Sequence, residues 1–491
     1  MSGRKVNYLL AALTGACMVV IFPGWNWTLL APLTVTPLLL ASAAESNNKQ
    51  RFALGYLSGF LYACGVYYWF AGVLSVHGGM GDWGGFGTYL VYCFLRAIHY
   101  GLFSLGAAQL LQSRWAVLLI PALWTGLERT QHPLSNFAWT LLGNAATDMS
   151  LPMRLAPWVG VYGLSFLLAM VGTVVALALL GRPRLELAPG LLVCGLFFLP
   201  ELPAPENALS SAVSVQPNID PERVSWNAQT VANLETRMGG LSLESALAKG
   251  VARPSMILWP ELPAPIYYEE DVALRETITR VARATQTPLV ISSVSRNSSG
   301  EGLNVAQFID ALGNPAGNYA KNYLVPFGEY VPPLFSWVNK ISNEAGTFAP
   351  GTAINDFAIG DKRAGVFICY ESAVPHHVRL FAQGGAQVLV MLTNDGYFFR
   401  TAAREQHLLL GRMRAAENGR WLLRSSNNGH TVSIDPAGRI VKQFPQFVET
   451  ADRLPFNWVS AQTFYTMHGD WFAWGCLAAA CVMIGWKATG N

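Results

Sequence analysis

Three side chains of different chemistry stand at the same kind of place in this chain, the carboxyl end of a short apolar run. Cys369 follows Gly365-Val366-Phe367-Ile368, Glu261 follows Met256-Ile257-Leu258-Trp259-Pro260, and Lys321 closes Asn318-Tyr319-Ala320. A nucleophilic thiol needs a group that takes its proton and a fixed positive charge for the oxyanion formed after attack. A carboxylate and an ammonium supply both without a histidine. Cys369 also precedes a polar turn and a helix expected over Pro375–Gln383, whose amino terminus would favour a thiolate, as would an adjacent cation. Taken singly, each residue has a plainer reading: a small buried cysteine, a strand-end ion-pair partner, a solvated lysine.

The other cysteines set Cys369 apart. Of the 7 Cys, Cys17, Cys64, Cys93, Cys194, Cys476 and Cys481 fall in apolar, span-like segments, which leaves Cys369 as the lone thiol of the polar region. One thiol makes no intramolecular disulfide, and no paired Cys/His spacing suggests a zinc site. No metal or cofactor is expected.

The elements that must position these residues divide into two kinds. The 491 residues are 52% hydrophobic and only 13% charged, against about a quarter charged in ordinary soluble domains, so membrane spans are expected. A formal net charge of +3 gives no case for nucleic acid. Candidate spans are Tyr8–Phe22, Leu29–Ala44, Phe52–Val76, Gly87–Leu111, Trp115–Leu127, Trp158–Leu180, Leu185–Leu199 and Trp471–Trp486, several short of the roughly 20 residues a crossing helix needs. Arg4 and Lys5 precede the first of these, which reads as a retained span. Lys49, Arg51, Arg114, Arg182, Arg184 and Lys487 all fall on the same side when the eight are threaded in order, while of the opposite loops Pro23–Thr28 and His77–Phe86 carry no Lys or Arg and Glu128–Pro157 only Arg129 and Arg154. Basic loops stay cytoplasmic. Both termini are therefore expected inside, and Glu201–Asp470 outside.

The expected division is a membrane domain over 1–206 with seven spans, a soluble domain over 207–466 and a last span over 467–491. Arg96 and His99 lie mid-span, where an arginine costs on the order of 2.5–3.5 kcal/mol, so they require a polar cavity, a partner or a headgroup. The apolar, Pro- and Gly-broken stretch Glu128–Pro157 reads as an amphipathic arm on the outer membrane surface. Trp25, Trp27, Trp83, Trp139, Trp158 and Trp471 read as interfacial aromatics.

In the soluble part, β-prone runs at Ala212–Val215, Met256–Leu258, Leu289–Val294, Val305–Asp310, Gly317–Tyr323, Ala364–Cys369, Gln387–Thr393, Trp421–Ser425 and His430–Ile434 alternate with helical patterns at Asp271–Thr285, Pro375–Gln383 and Ala402–Asn418. That is an α/β domain, with a hairpin turn at Gly313–Gly317. His407, sharing its helix with Arg404, Arg412 and Arg414, reads as part of a charged helix face. Asn394 and Asp395 read as turn formers in a loop bordering the pocket.

Five motifs in order carry a resemblance: WPELPAP (259–265), KNYLVPFGEYVP (321–332), FICYES (367–372), LTNDGYF (392–398) and RSSNNGHT (424–431). The first four resemble the nitrilase, or carbon–nitrogen hydrolase, superfamily with its Glu-Lys-Cys triad. Within it, the eight spans, Leu324–Pro332 and RSSNNGHT resemble the bacterial apolipoprotein N-acyltransferase family. The resemblance implies an αββα sandwich in the periplasm, carried by an α-helical bundle of eight spans in the inner membrane. It implies Glu261 as general base, Lys321 as transition-state stabiliser and Cys369 as nucleophile. Glu329 would orient the lysine, and Tyr370 and Glu371 would support the thiol. Trp226 would lie on a mobile substrate-contacting arm, and Asn394 would line the substrate pocket. The implied reaction moves an acyl chain from a phospholipid, through a Cys369 thioester, to the amino group of a diacylglyceryl-modified apolipoprotein, in a monomer. Two other readings remain open: a membrane-tethered amidase that lets water finish the reaction, and a transporter or scaffold whose outer domain only binds.

Overall fold

Strand order and side-chain alternation explain how residues far apart in the chain meet. A computed structural model describes residues 3–135, 137, 139–331 and 348–488. Two units are distinct, 1–202 with 468–491, and 203–467.

In the second unit the strands are β1 (Ser210–Gln216), β2 (Met256–Leu258), β3 (Leu289–Arg296), β4 (Gly302–Ile309), β5 (Pro315–Ala320), β6 (Asp356–Ile359), β7 (Lys362–Ile368), β8 (Val388–Thr393), β9 (Leu422–Ser426), β10 (Val432–Ile434), β11 (Ile440–Gln443) and β12 (Thr450–Phe456). They form two six-stranded sheets ordered β12-β1-β2-β3-β4-β5 and β11-β10-β9-β8-β7-β6. Each sheet has a parallel centre, β1-β2-β3 in one and β7-β8-β9 in the other, flanked by antiparallel strands. The period of two in a strand sorts the side chains. Met256, Leu258, Val290, Ala306, Phe308 and Tyr319 belong to the core shared with the second sheet, whereas Ile257, Leu289, Ile291 and Ile309 pack under helices. Those helices are Ala228–Ala246 and Val272–Thr285, and Pro375–Gln383 and Ala403–Asn418 accompany the other sheet. The result is a four-layer αββα arrangement. Gly365 of β7 permits one close approach, since a Cβ there would lie 2.6 Å from the Cβ of Phe381.

The helix Ala228–Ala246 and the strands β6, β11 and β12 have no counterpart among the runs read from sequence. The helix Ala403–Asn418 forms as expected, but it is no solvated charged face. Arg404, His407 and Arg414 are buried there. Arg414 pairs with Glu417 at 2.7 Å, and Arg404 donates to the carbonyls of Phe399 and Asn428. Each buried cation has found an acceptor, as burial requires.

The first unit is helical: Gly3–Val20, Thr36–Ala44, Asn48–Val66, Trp69–Val76, Gly81–Leu110, Ala116–Ser135, Ala156–Leu179 and Trp471–Ala488, with tighter 3₁₀ turns over Thr28–Leu33 and Ala188–Phe198. Among the described residues, two helices, Gly81–Leu110 and Ala156–Leu179, are long and apolar enough to cross a membrane, with a third crossing if the pair Asn48–Val66 and Trp69–Val76, bent by 60°, counts as one. The expected arm Glu128–Pro157 is different from its sequence reading. Its first turns continue the helix to Ser135, and Trp139, Leu142, Asn144 and Ala146 are buried inside the bundle. Trp139 stacks on Phe137 with ring centroids 5.8 Å apart, so it is a packing residue and not an interfacial one. Tyr62 and Tyr67 both bond the Thr140 hydroxyl, at 2.5 and 2.9 Å, which ties this segment inward. Trp25, Trp27, Trp83, Trp158 and Trp471 are exposed. Arg96 is buried among Tyr62, Tyr67, Tyr92 and Tyr100, which resolves its mid-span position as an interior contact.

Candidate active site

The carboxyl ends of β2, β5 and β7 bring the three chemistry-bearing residues together. Glu261 lies just beyond β2, where Pro260 ends the ladder because it has no N–H to donate. Lys321 follows β5, and its backbone N–H donates to the Asn304 carbonyl on β4 at 2.8 Å. Cys369 follows β7 and opens a 3₁₀ turn over Cys369–Ala373. All three are buried, with side chains in a shared electrostatic neighbourhood.

The centre is a four-atom ring of hydrogen bonds. Lys321 Nζ donates to Glu261 Oε1 at 3.1 Å and to Glu329 Oε1 at 2.8 Å. Asn304 Nδ2 donates to the same two oxygens, at 2.9 and 3.0 Å. Glu329 reaches back because the chain turns tightly over Val325–Glu329, and its other oxygen accepts from the Val325 N–H at 2.8 Å. Pro332, the last residue of that motif, lies outside the described residues. The second oxygen of Glu261 accepts from the Asn394 N–H at 3.1 Å, across from the other sheet.

Electrostatics assign the resting protons. Burial opposes the Lys321 charge, but Glu261, Glu329 and Cys369 outweigh it and hold the ammonium well above its ordinary pKa. The thiol behaves oppositely to the sequence expectation. Burial, then the Glu261 carboxylate, push the Cys369 pKa up against the pull of Lys321, so the resting group is a neutral thiol. The cation is already spent on two carboxylates. Tyr397, in the turn after β8, has its hydroxyl pushed up to about 12, by burial first and then by Glu261, Glu329 and Cys369.

Glu371 is the buried anchor of the site. One oxygen accepts from Tyr319 Oη at 2.6 Å and from the N–H groups of Asn322 and Tyr323 at 2.7 and 3.2 Å. The other accepts from the Ile368 N–H at 2.7 Å. One carboxylate thus ties the residues after Lys321 to the residue before Cys369. Tyr370 is buried beside it. Asn394 has its side-chain oxygen bonded by Gly396 N–H and Asn427 Nδ2, at 3.1 and 2.9 Å. Trp226 precedes the cap of helix Ala228–Ala246 and packs on the cluster beneath that helix, which includes Trp259 and Ala264 on either side of Glu261. Asn304 was missed in the sequence, because a lone Asn inside a strand carries no local signal. His407 was misplaced, because a helix with three arginines reads as wet.

Comparison with known proteins gives matching results at both ends of the chain. Residues 212–453 match the carbon–nitrogen hydrolase family model, and residues 14–174 match that of the apolipoprotein N-acyltransferase N-terminal domain. An apolipoprotein N-acyltransferase of Geobacter metallireducens is 32% identical over 97% of this chain and 94% of its own. The chain belongs to the apolipoprotein N-acyltransferase family. Other members of the family from Chlorobaculum tepidum and Azotobacter vinelandii are 28% and 30% identical, over 97% and 94% of this chain and 95% of each relative. Among solved structures, a nitrilase-superfamily amidase from Nesterenkonia sp. AN1 aligns with a TM-score of 0.39 at 21% identity, covering 51% of this chain and 92% of the amidase. For this family member, the carbon–nitrogen hydrolase match falls within the α/β unit and the N-terminal-domain match within the helical unit.

Proposed function

We propose that this chain is an acyltransferase that moves a fatty acyl group from a membrane phospholipid to the N-terminal amino group of a diacylglyceryl-modified apolipoprotein. The observation that carries the reading is the hydrogen-bonded ring of buried Lys321, Glu261 and Asn304 with part-buried Glu329, in the electrostatic reach of a buried thiol, in a chain matched nearly end to end by relatives of that name. Eight spans over 1–206 and 467–491, an inner-membrane location and a periplasmic domain over 207–466 complete the proposal. The basic-residue asymmetry of the loops supports that orientation.

Glu261, Lys321 and Cys369 carry the reaction in two balanced halves. As the Cys369 sulfur bonds to the ester carbonyl carbon, its proton passes to Glu261 and the oxyanion forms near Lys321. Collapse breaks the ester C–O bond, and Glu261 returns the proton to the departing lysophospholipid alkoxide. A thioester remains. The acceptor's amino nitrogen then bonds to the thioester carbon and gives a proton to Glu261. Collapse breaks the C–S bond and the sulfur is reprotonated from Glu261. Glu329 and Asn304 hold Lys321 and Glu261 in place throughout, and Glu371 with Tyr370 sets the thiol's backbone. A dry site is needed, since water would otherwise discharge the thioester.

Intact-mass measurement after mixing the full chain with phospholipid tests this. A long-chain acyl adduct on Cys369, discharged by a peptide bearing an N-terminal diacylglyceryl-cysteine, is the expected result. Prompt discharge by water would make the chain a hydrolase, and no adduct at all would end both enzyme readings.

A further inference from the structure

His407 is buried, outside the ring of catalytic groups, and bonded to the nucleophile's own peptide. Its Nε2 stands 3.1 Å from the Cys369 carbonyl oxygen. Its Nδ1 stands 3.0 Å from Asp395 Oδ1 and 3.1 Å from Arg424 Nη2. Arg424 Nη2 also donates to both Asp395 oxygens, at 2.7 and 2.9 Å. All three side chains have no exposed surface. Asp395 opens the turn just after β8 and Arg424 lies in β9, so adjacent strands of one sheet place the group. Gly429 leaves room for it: a Cβ there would come within 2.0 Å of Asp395 Oδ2.

The peptide so held is unusual. Cys369 has φ +52, a left-handed conformation that a residue with a Cβ adopts only when its surroundings impose it. A carbonyl accepts and never donates, so Nε2 must carry a proton. Nδ1 lies between a donor, Arg424 Nη2, and an acceptor, Asp395 Oδ1, and Nε2 carries the proton toward the Cys369 carbonyl whichever of the two Nδ1 meets.

We propose that His407 is a positioning residue: its Nε2–H holds the Cys369 carbonyl, and so the sulfur, in attacking orientation, while Asp395 and Arg424 hold the ring. This goes beyond the acyltransfer reading, because it concerns the geometry of the thiol whatever it attacks. It makes two demands. The bond must exist in the resting protein, and losing it must slow the thiol without weakening substrate binding.

The bond is tested on the unmodified full chain by solid-state NMR, with 15N in the histidine rings and 13C in the cysteine carbonyls. A protonated ring nitrogen in dipolar contact with a cysteine carbonyl is expected. No such contact, or a bare nitrogen there, overturns the proposal. Its consequence is tested with His407→Ala and His407→Gln, reading alkylation of Cys369 by iodoacetamide and, separately, acyl-enzyme formation. His407→Ala should slow both by about 10²-fold, the scale of an ångström of misplacement, with KM for phospholipid unchanged. His407→Gln, whose amide reaches the same carbonyl, should recover to within about tenfold. Wild-type rates in His407→Ala, or equal losses in both variants, overturn it. Should wild type fail to take an acyl group while alkylation responds as stated, the acyltransfer reading falls and the positioning role stands.

Discussion

Glu371→Gln is the sharpest perturbation of this site, because it changes one charge and almost no volume. The carboxylate has no exposed surface and accepts on both sides. Burial raises its pKa, but His377, Tyr319 and the Ile368 N–H outweigh burial and hold it below its ordinary value. A glutamine must place its NH₂ either against the Ile368 N–H or against the Tyr319, Asn322 and Tyr323 donors. Either choice sets donor against donor. One buried donor left unmade costs about 1–3 kcal/mol, and the surviving bonds lose their charge assistance, so about 2–4 kcal/mol of destabilisation is expected. For a domain of this size that is a fall in Tm of roughly 4–16 °C. The sign with pH follows from the depressed pKa. The Glu371 contribution is full above the unfolded value of about 4.3 and is lost as pH falls through the lower folded value. The gap between wild type and Glu371→Gln should therefore close below about pH 4. Thermal unfolding of both proteins between pH 3 and pH 8, with acyl-enzyme formation at pH 7, reads all of this. A Glu371→Gln protein with wild-type Tm and a wild-type rate would refute the anchor.

Three further outcomes are expected. Because burial and Glu261 raise the Cys369 pKa, its alkylation rate should climb about tenfold per pH unit from pH 7 to 9 without levelling; a plateau below pH 8 would mean a resting thiolate. Lys321→Met removes the cation from buried Glu261 and part-buried Glu329 and should cost about 3–5 kcal/mol while abolishing acyl-enzyme formation, measured by denaturation and intact mass. Glu329→Gln keeps an acceptor for Lys321 Nζ but not its charge, so acyl-enzyme formation should slow by about 10–10²-fold with KM unchanged; an unaltered rate would show the second carboxylate to be idle.

What could be read from the chain and what could not have a common physical cause. Glu261, Lys321 and Cys369 were legible because each follows a run whose β propensity is local, and strand ends are where a sheet presents its side chains. The strands β6, β11 and β12 were not, because edge strands such as Ile440–Gln443 are half exposed and carry no apolar alternation. The helix bearing His407 was legible as a helix and misread as to its environment. Burial of Arg404 and Arg414 depends on acceptors at Asn428 and Ser372, which only the assembled sheet brings near. Trp139 failed for the same reason, since a tryptophan among prolines looks interfacial until Phe137 is found stacked on it and Trp69 tilted against it.

The same dependence on assembly explains why the site has a second carboxylate. At rest one ammonium serves Glu261 and Glu329 together, and a thiolate would add a third negative group to a buried pocket with one cation, which is the situation the raised thiol pKa avoids. In the proposed reaction, Glu261 would loosen its hold on Nζ on taking the thiol proton, and Glu329 would then be the group that keeps Lys321 charged and fixed while the oxyanion grows. Asn304 keeps the two carboxylate oxygens spaced around the ammonium through that change, bonding both from a strand and not from a loop. A single carboxylate would have to be base and counter-ion at once, and would give up the second duty on performing the first.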